Sequence, residues 1–331
     1  MSSTSAPPSS APRETARRWR DLALLGGLFA LVLAGLIGLA AATGWEETRA
    51  EIAKISAAQF ALLLALSLVN YAARGLRWHL FSRRLGLALS MGADLRHFLG
   101  GFAMSVTPGR VGELVRMRWI RRETGWPFER TAPLVLVDRA SDLAAMGLLL
   151  ACALALSATG IAGAVPVVVG ALALALVATR PAILSASATL LYRALGHWPR
   201  LFARLRAASR SLSRFSRTDI FLSSLILGFI GWIAEGYAFY LLLSWMDAQI
   251  LFWPAVAIFT FSTLAGGLTG APGGVGGAEA AMIALLTLEG VPLEVSVPAT
   301  AIIRVTTLWF AIGIGLIFFP IAERRSLKDM R

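Results

Sequence analysis

The chain returns repeatedly to runs of about 18 or more apolar residues with few charges, long enough as helices to cross about 30 Å of hydrocarbon. They fall near 21–43, 57–76, 131–156, 161–179, 219–245 and 295–319. In hydrocarbon every backbone N–H and C=O must find its partner inside the protein, which leaves only helices and closed barrels. Barrel strands take about 9–11 residues and alternate in polarity. Runs this long without alternation specify helices. The first exceeds the roughly 7–15-residue core of a signal peptide and is read as a retained span. Charged residues are 15% of the chain, against about 25% in soluble domains, too few to cover a water-facing surface. The expected fold is an all-α polytopic membrane protein with about six transmembrane helices.

Two shorter apolar pairs, near 91–121 and 252–288, are each broken by a Pro-Gly tip: "SVTPGRVGELVR" and "GAPGGVGGAEAA". Both are read as re-entrant helical hairpins, whose non-helical backbone must lie against protein or a water-filled cavity. Pro108-Gly109-Arg110-Val111-Gly112 matches Pro272-Gly273-Gly274-Val275-Gly276 at four of five positions, at a constant offset of 164 residues. A glutamate follows each tip, Glu113 and Glu279, and then a span carrying an arginine, Arg139 in "VLVDRASD" and Arg304 in "AIIRVTT". The order span, span, hairpin, span is therefore written twice, over about 21–158 and 161–319. Three full spans separate corresponding points, so the second copy is inverted. Inverted repeats with broken helices facing each other near the midplane are a transporter plan. Half-helix N-termini at such tips present backbone N–H groups to an anion. For Gly266, Gly267 and Gly270, tight helix packing is the favoured reading.

Arginine placement gives the sidedness. The tail 1–20 and segments 74–96, 116–130, 180–218 and 323–331 hold 26 of the 31 Lys and Arg residues. Cytoplasmic loops carry that excess. Both termini are expected in the cytoplasm of a bacterial-type plasma (inner) membrane, with the first hairpin entering from inside and the second from outside. Residues 1–20 are expected to be a disordered tail, 21–322 one membrane domain, and 323–331 a cytoplasmic tail. Segment 180–218 has eight arginines and no acid. Within it, about 186–217 forms an amphipathic pattern, with Leu201, Phe202, Leu205, Leu212 and Phe215 opposite the arginines. That pattern suits a helix lying on anionic inner-leaflet lipids; a solvated connector is the alternative. Either accounts for the +12 net charge without nucleic acid. Cys152 stands alone, and His79, His97 and His197 are scattered, so neither a disulfide, a metal nor a cofactor is expected.

Intramembrane ionisable side chains cost about 2.5–3.5 kcal/mol each on insertion scales and are functional candidates. Here they are Arg110, Glu113, Asp138, Arg139, Asp142, Glu235, Glu279 and Arg304. With Pro108, Gly109, Pro272, Gly273 and Gly274 at the tips, all but Glu235 form the expected substrate-binding set. Arg139 and Arg304 suit bidentate phosphate contact. Asp138 and Asp142 serve either that site or the register of the bundle, with Arg139 within reach of Asp142. Glu113 and Glu279 are counter-ions or proton carriers, and Glu235 is a candidate for proton coupling.

"FLGGFAMSVTPGRVGELVR", "VDRASDL" and "PGGVGGAEAAMIALL" resemble the flippase-like transmembrane domain of the lysylphosphatidylglycerol synthase family, over nearly the whole chain after about residue 20. The resemblance implies movement of a charged phospholipid between leaflets. The expected form is the stand-alone one, without the family's aminoacyltransferase domain. The leading expectation is thus a non-enzymatic, flippase-like transporter of an anionic lipid: a phospholipid, a polyprenyl-phosphate lipid or a glycolipid. A partner lipid-synthesis enzyme would fit the alternative, an accessory or scaffold subunit of a lipid-modifying or glycosyltransferase system. A membrane-embedded transferase is the third class; no G-x-S-x-G, H-E-x-x-H, phosphate-loop or dinucleotide fingerprint supports it.

Overall fold

The computed structural model describes residues 45–105, 107, 114–157, 164–180 and 218–328, with a few isolated positions between 182 and 215. The tail 1–20, the span near 21–43, the tip residues Pro108, Gly109, Arg110 and Glu113, and nearly all of the 186–217 segment lie outside them. Every regular element among the described residues is helical.

A short helix α1 (Trp45–Ala53) leads into α2 (Ala57–Leu85). Ser56 starts α2 as a capping box: Gln59 N–H donates to its Oγ, and its own N–H donates to Gln59 Oε1 at 2.8 Å, which satisfies two orphan donors of the first turn. The buried face carries Leu63, Ser67, Asn70, Tyr71, Arg74, Arg77, Trp78 and Phe81, the three- and four-residue spacing of one helical stripe. This corrects the sequence expectation. α2 continues nine residues past position 76, so Arg74 and Arg77 belong to a buried helix face, not to a cytoplasmic connection.

The first helical pair is α3 (Met91–Gly101), continued as a 3₁₀ turn over Phe102–Met104, and α4 (Val115–Thr124). Then come α5 (Phe128–Leu156) and α6 (Ala164–Thr179). At 16 residues α6 is about 24 Å long, shorter than a full crossing. α7 (Thr218–Trp245) precedes the second pair, α8 (Phe252–Leu268) and α9 (Gly277–Leu288), joined through a 3₁₀ turn at Pro272–Gly274. Last come α10 (Leu293–Arg304) and α11 (Phe310–Lys328), run together through a π-helical turn at Val305–Trp309. Among the described residues, four helices are long and apolar enough to cross a membrane: Ala57–Leu85, Phe128–Leu156, Asp219–Trp245 and Leu293–Lys328. The protein is a multi-pass membrane protein, with only helical elements among the described residues.

α2 and α7 pack side by side along their lengths, α5 packs on α6, α7 and α8, and α11 packs on α3. One core cluster runs through α5, α7, α8 and α10 around Leu149, Phe239, Val256 and Ile303. A second joins α2 to the first helical pair around Trp78, Phe81, Phe98 and Ile120.

Polar links tie the two ends of the bundle. At one end Lys54 Nζ donates to Asp247 Oδ2 at 3.0 Å. At the other, Arg84 Nη2 donates to Asp219 Oδ2 at 2.9 Å, and Glu323 gathers Arg118 at 2.6 Å, the Trp119 indole N–H at 2.8 Å and Arg122 at 2.8 Å. Lys54 and Asp247 thus share one end of the bundle, and Arg84, Asp219 and the Glu323 cluster lie toward the other. Beside the Glu323 cluster, Glu123 Oε1 accepts from Arg96 at 2.8 Å and lies 3.0 Å from His97 Nε2. Burial pushes the Glu123 carboxyl up, but the hydrogen bond and charge of His97, with Arg96, outweigh it and hold the group below its ordinary range.

Candidate functional site

α5 brings Asp138, Arg139 and Asp142 to mid-bundle, and α2 meets them with Arg74 and Arg77. Arg77, fully buried, donates through Nη2 to Asp138 Oδ1 and to Asp142 Oδ1, both at 2.6 Å. Its Nε reaches Asp138 Oδ1 at 3.2 Å. Arg74 Nη2 donates to Asp142 Oδ2 at 2.8 Å. Arg139 Nη2 donates to Asp138 Oδ2 at 2.8 Å, and its Nη1 lies 3.5 Å from Asp142 Oδ2. The spacing explains the fit. Positions 138 and 142 share a face one helical turn apart, as do 74 and 77. Three guanidinium groups thus meet two carboxylates. The aspartate side chains are 0% and 8% exposed, whereas that of Arg139 is 25% exposed. Arg139 is the open side of the cluster.

The second tip is organised by its own residues. Gly273 and Gly274 have φ of 63° and 70°, the left-handed region that a side chain disfavours. A Cβ on Gly274 would also come within 3.0 Å of the Gly266 carbonyl carbon. Glu279, in the first turn of α9, accepts the Gly276 N–H at 2.7 Å through Oε2. Arg304 Nε donates to Glu279 Oε1 at 2.6 Å, and its Nη2 donates to the Gly273 carbonyl at 3.1 Å. Tight packing explains Gly266, where a Cβ would lie 2.6 Å from that of Ala278, but neither Gly267 nor Gly270, which have no atom within 4 Å of that position. Gly270 instead takes φ of 68° as the chain leaves α8.

Between these groups stands Tyr71. Its hydroxyl donates to the Thr307 carbonyl inside the π-helical turn, an oxygen that also accepts the Phe310 backbone N–H. Its ring meets Phe102 edge-on at 5.2 Å and Phe310 at 6.0 Å. Glu235 is 5% exposed on α7. Tyr71 therefore touches the end of the first helical pair and the final span together. The Arg74 guanidinium lies over the rings of Phe98 at 5.7 Å and Trp232 at 5.4 Å. Arg116 sits 4.8 Å from the Phe98 ring and 5.1 Å from that of Trp78, and donates to the Phe98 carbonyl at 3.0 Å.

Of the expected site residues, the structure brings Asp138, Arg139 and Asp142 into one cluster, and Gly273, Glu279 and Arg304 into another. Gly274 shapes the second tip, Pro272 opens its turn, and Glu235 is buried on α7. Pro108, Gly109, Arg110 and Glu113 fall outside the described residues. Sequence reasoning missed Arg74, Arg77 and Arg116, each more than nine-tenths buried. The signal available was the pair at positions 74 and 77, complementary to the acids at 138 and 142. Among the described residues no group of three or more His, Cys, Asp or Glu side chains is placed to hold a metal ion.

Two proteins from Methanothermobacter thermautotrophicus, each described as a UPF0104 membrane protein, are similar to part of the chain. One is 27% identical over 122 residues and the other 26% identical over 126. These alignments span little more than a third of either partner, 36% of both chains in the first case and 37% in the second. The match to the transmembrane region of lysylphosphatidylglycerol synthase is far longer, covering residues 23–315. It takes in both helical pairs, both ion clusters and the π-helical turn, and by that match the chain belongs to the lysylphosphatidylglycerol synthase transmembrane-region family.

Proposed function

We propose that the protein is a flippase-like transporter moving an anionic lipid between leaflets: a phospholipid, a polyprenyl-phosphate lipid or a glycolipid. The observation that carries the reading is the cluster of Arg74, Arg77, Asp138, Arg139 and Asp142 inside an apolar bundle. Ionisable groups at such depth are expensive, and in membrane proteins they mark substrate paths. Among the described residues the cluster joins three guanidinium groups to two carboxylates, and its partly open side chain, Arg139, is an arginine. A lipid phosphate is the complementary group, because guanidinium binds it through two parallel hydrogen bonds. The second Pro-Gly tip breaks its helical pair as an inverted-repeat carrier requires, and the first repeats its sequence; in this reading Glu113 and Glu279 serve the tips, and Glu235 carries a proton. In this reading both termini are cytoplasmic in a bacterial-type inner membrane, and the 186–217 segment lies on anionic lipids of the inner leaflet.

The test is a leaflet-resolved assay of labelled lipids in vesicles reconstituted with the purified protein, run across anionic and zwitterionic headgroups. Redistribution of an anionic lipid above that in protein-free vesicles is expected. Equal rates with and without protein for every anionic headgroup would sink the reading.

A further inference from the structure

The seam between α2 and α7 contains hydrogen-bond donors with nothing to donate to. Asn70 Nδ2, Arg74 Nε, Arg77 Nη1 and Trp232 Nε1 are all buried and have no hydrogen-bond partner among the described residues. Their residues are 0%, 5%, 0% and 6% exposed. Orphaned buried N–H groups are rare in folded proteins, and each calls for an explanation.

These four belong together. Arg74 Nη1 lies 3.5 Å from Asn70 Oδ1, and its guanidinium carbon is 5.4 Å from the centre of the Trp232 ring. From α7, Gly231 faces Asn70 and Gly228 faces Arg77. A Cβ at either glycine would lie 3.1 Å from the orphaned nitrogen. The two glycines, three apart, let the α7 backbone approach these donors closely; at Gly228 a Cβ would also lie 2.7 Å from that of Ala145. Four buried donors left without acceptors, two of them on cationic groups, call for oxygen acceptors and favour negative charge.

We infer that Asn70, Arg74, Arg77 and Trp232 form an oxyanion subsite in the α2–α7 seam, which takes a phosphate group. As the phosphate of a lipid headgroup, this ligand rests on the transport reading above; as a free phosphate, it does not. The assignment moves the anion contact away from Arg304, whose Nε and Nη2 are engaged by its own hairpin. It places that contact beside Arg139, which shares Asp142 with Arg74 and Arg77.

The test uses the full-length protein in a neutral detergent, titrated calorimetrically with dihexanoyl phosphatidylglycerol, inorganic phosphate and dihexanoylglycerol. Trp232→Phe keeps a ring in place and removes the N–H; Asn70→Leu keeps the volume and removes the amide. Each variant is expected to weaken binding of the phosphorylated probe about tenfold, as loss of a hydrogen bond to a charged group does, and dihexanoylglycerol is expected not to bind. Equal weakening for both phosphorylated probes marks a subsite that accepts free phosphate, and weakening for the lipid alone marks one that needs the acyl chains. Both support the subsite.

If the wild type binds phosphatidylglycerol and Trp232→Phe binds it equally well, the subsite is wrong and transport is untouched. If labelled lipids never redistribute but phosphate binding depends on Trp232, the subsite stands and the transport reading falls. If neither phosphorylated probe binds the wild type, the inference is overturned. Should Asn70→Leu fail to assemble, Trp232→Phe decides the matter alone.

Discussion

Arg304 Nε donates to Glu279 Oε1 at 2.6 Å, with both residues more than nine-tenths buried. The other Glu279 oxygen accepts the Gly276 N–H at the start of α9, and the other arm of Arg304 holds the Gly273 carbonyl. A pair that looks in sequence like a headgroup site therefore closes on its own hairpin, fastening the tip to the π-helical turn of the final span.

Breaking that fastening strands a buried charge. Glu279→Leu alone and Arg304→Met alone should each lower stability by about 3–5 kcal/mol. The double substitution should recover most of the loss, because an apolar pair of similar volume leaves no uncompensated ion. Thermal unfolding in detergent checks this. A double variant no more stable than either single one would show that the Gly273 and Gly276 bonds, not the ion pair, hold the tip.

Glu123 gives the acid end of the stability profile. Its folded carboxyl sits below the ordinary value of 4.5 because His97 and Arg96 outweigh the effect of burial. A depressed carboxylate stabilises the fold above the unfolded value, and that contribution disappears as pH falls through the folded one. Melting temperature should therefore drop as pH is lowered below about 4.5. Glu123→Gln should be less stable at pH 7, by about 1.5–3 kcal/mol, and flatter in acid. A variant with the same acid slope as the wild type would assign that slope to another group.

The helix breaks were legible because proline and glycine act locally: Pro272 and the glycines around it interrupt an apolar run whatever surrounds them. The pairing of Arg139 with its neighbouring acids was legible for the same reason. Arg74 and Arg77 were not. Hydropathy ends a span at its first charges, and nothing local distinguishes an arginine at the headgroup level from one buried against an acid 65 positions away. That pairing is a property of how α2 crosses α5, which depends on tertiary packing. Asn70 and Trp232 were invisible for a related reason, since an orphaned donor can be recognised only after all its neighbours are placed.

The ends of the bundle give a topology test. Lys54 bonds to Asp247 at one end and Arg84 to Asp219 at the other. In a Cys152→Ser background, Asp247→Cys and Glu289→Cys should react with an impermeant maleimide added outside intact cells. Asp219→Cys and Arg121→Cys should react only after permeabilisation. If Glu289→Cys labels solely from the cytoplasmic side, the second helical pair does not enter from outside and the inverted arrangement fails.

The sharpest contrast lies between two arginines that share Asp138. Arg77 is fully buried and bonds to both aspartates; the side chain of Arg139 is 25% exposed and lies on the open side of the same cluster. Arg77→Ala leaves the cluster with its fully buried cation gone, and the expected loss is about 3–5 kcal/mol, enough to deplete the protein from the membrane. Arg139→Ala leaves Asp138 paired with Arg77, and Asp142 paired with Arg74 and Arg77. The protein should therefore assemble in normal amounts. If Arg139 meets the lipid phosphate, the same variant should lose charge-assisted hydrogen bonds of about 1.5–3 kcal/mol each, and anionic-lipid affinity should fall at least about tenfold. Arg139→Lys, which keeps the charge but loses the bidentate fork, should recover only part of it. Abundance and lipid redistribution must be measured on the same membranes. A fully active Arg139→Ala would remove Arg139 from the substrate path, and a scarce one would make it a structural ion like Arg77.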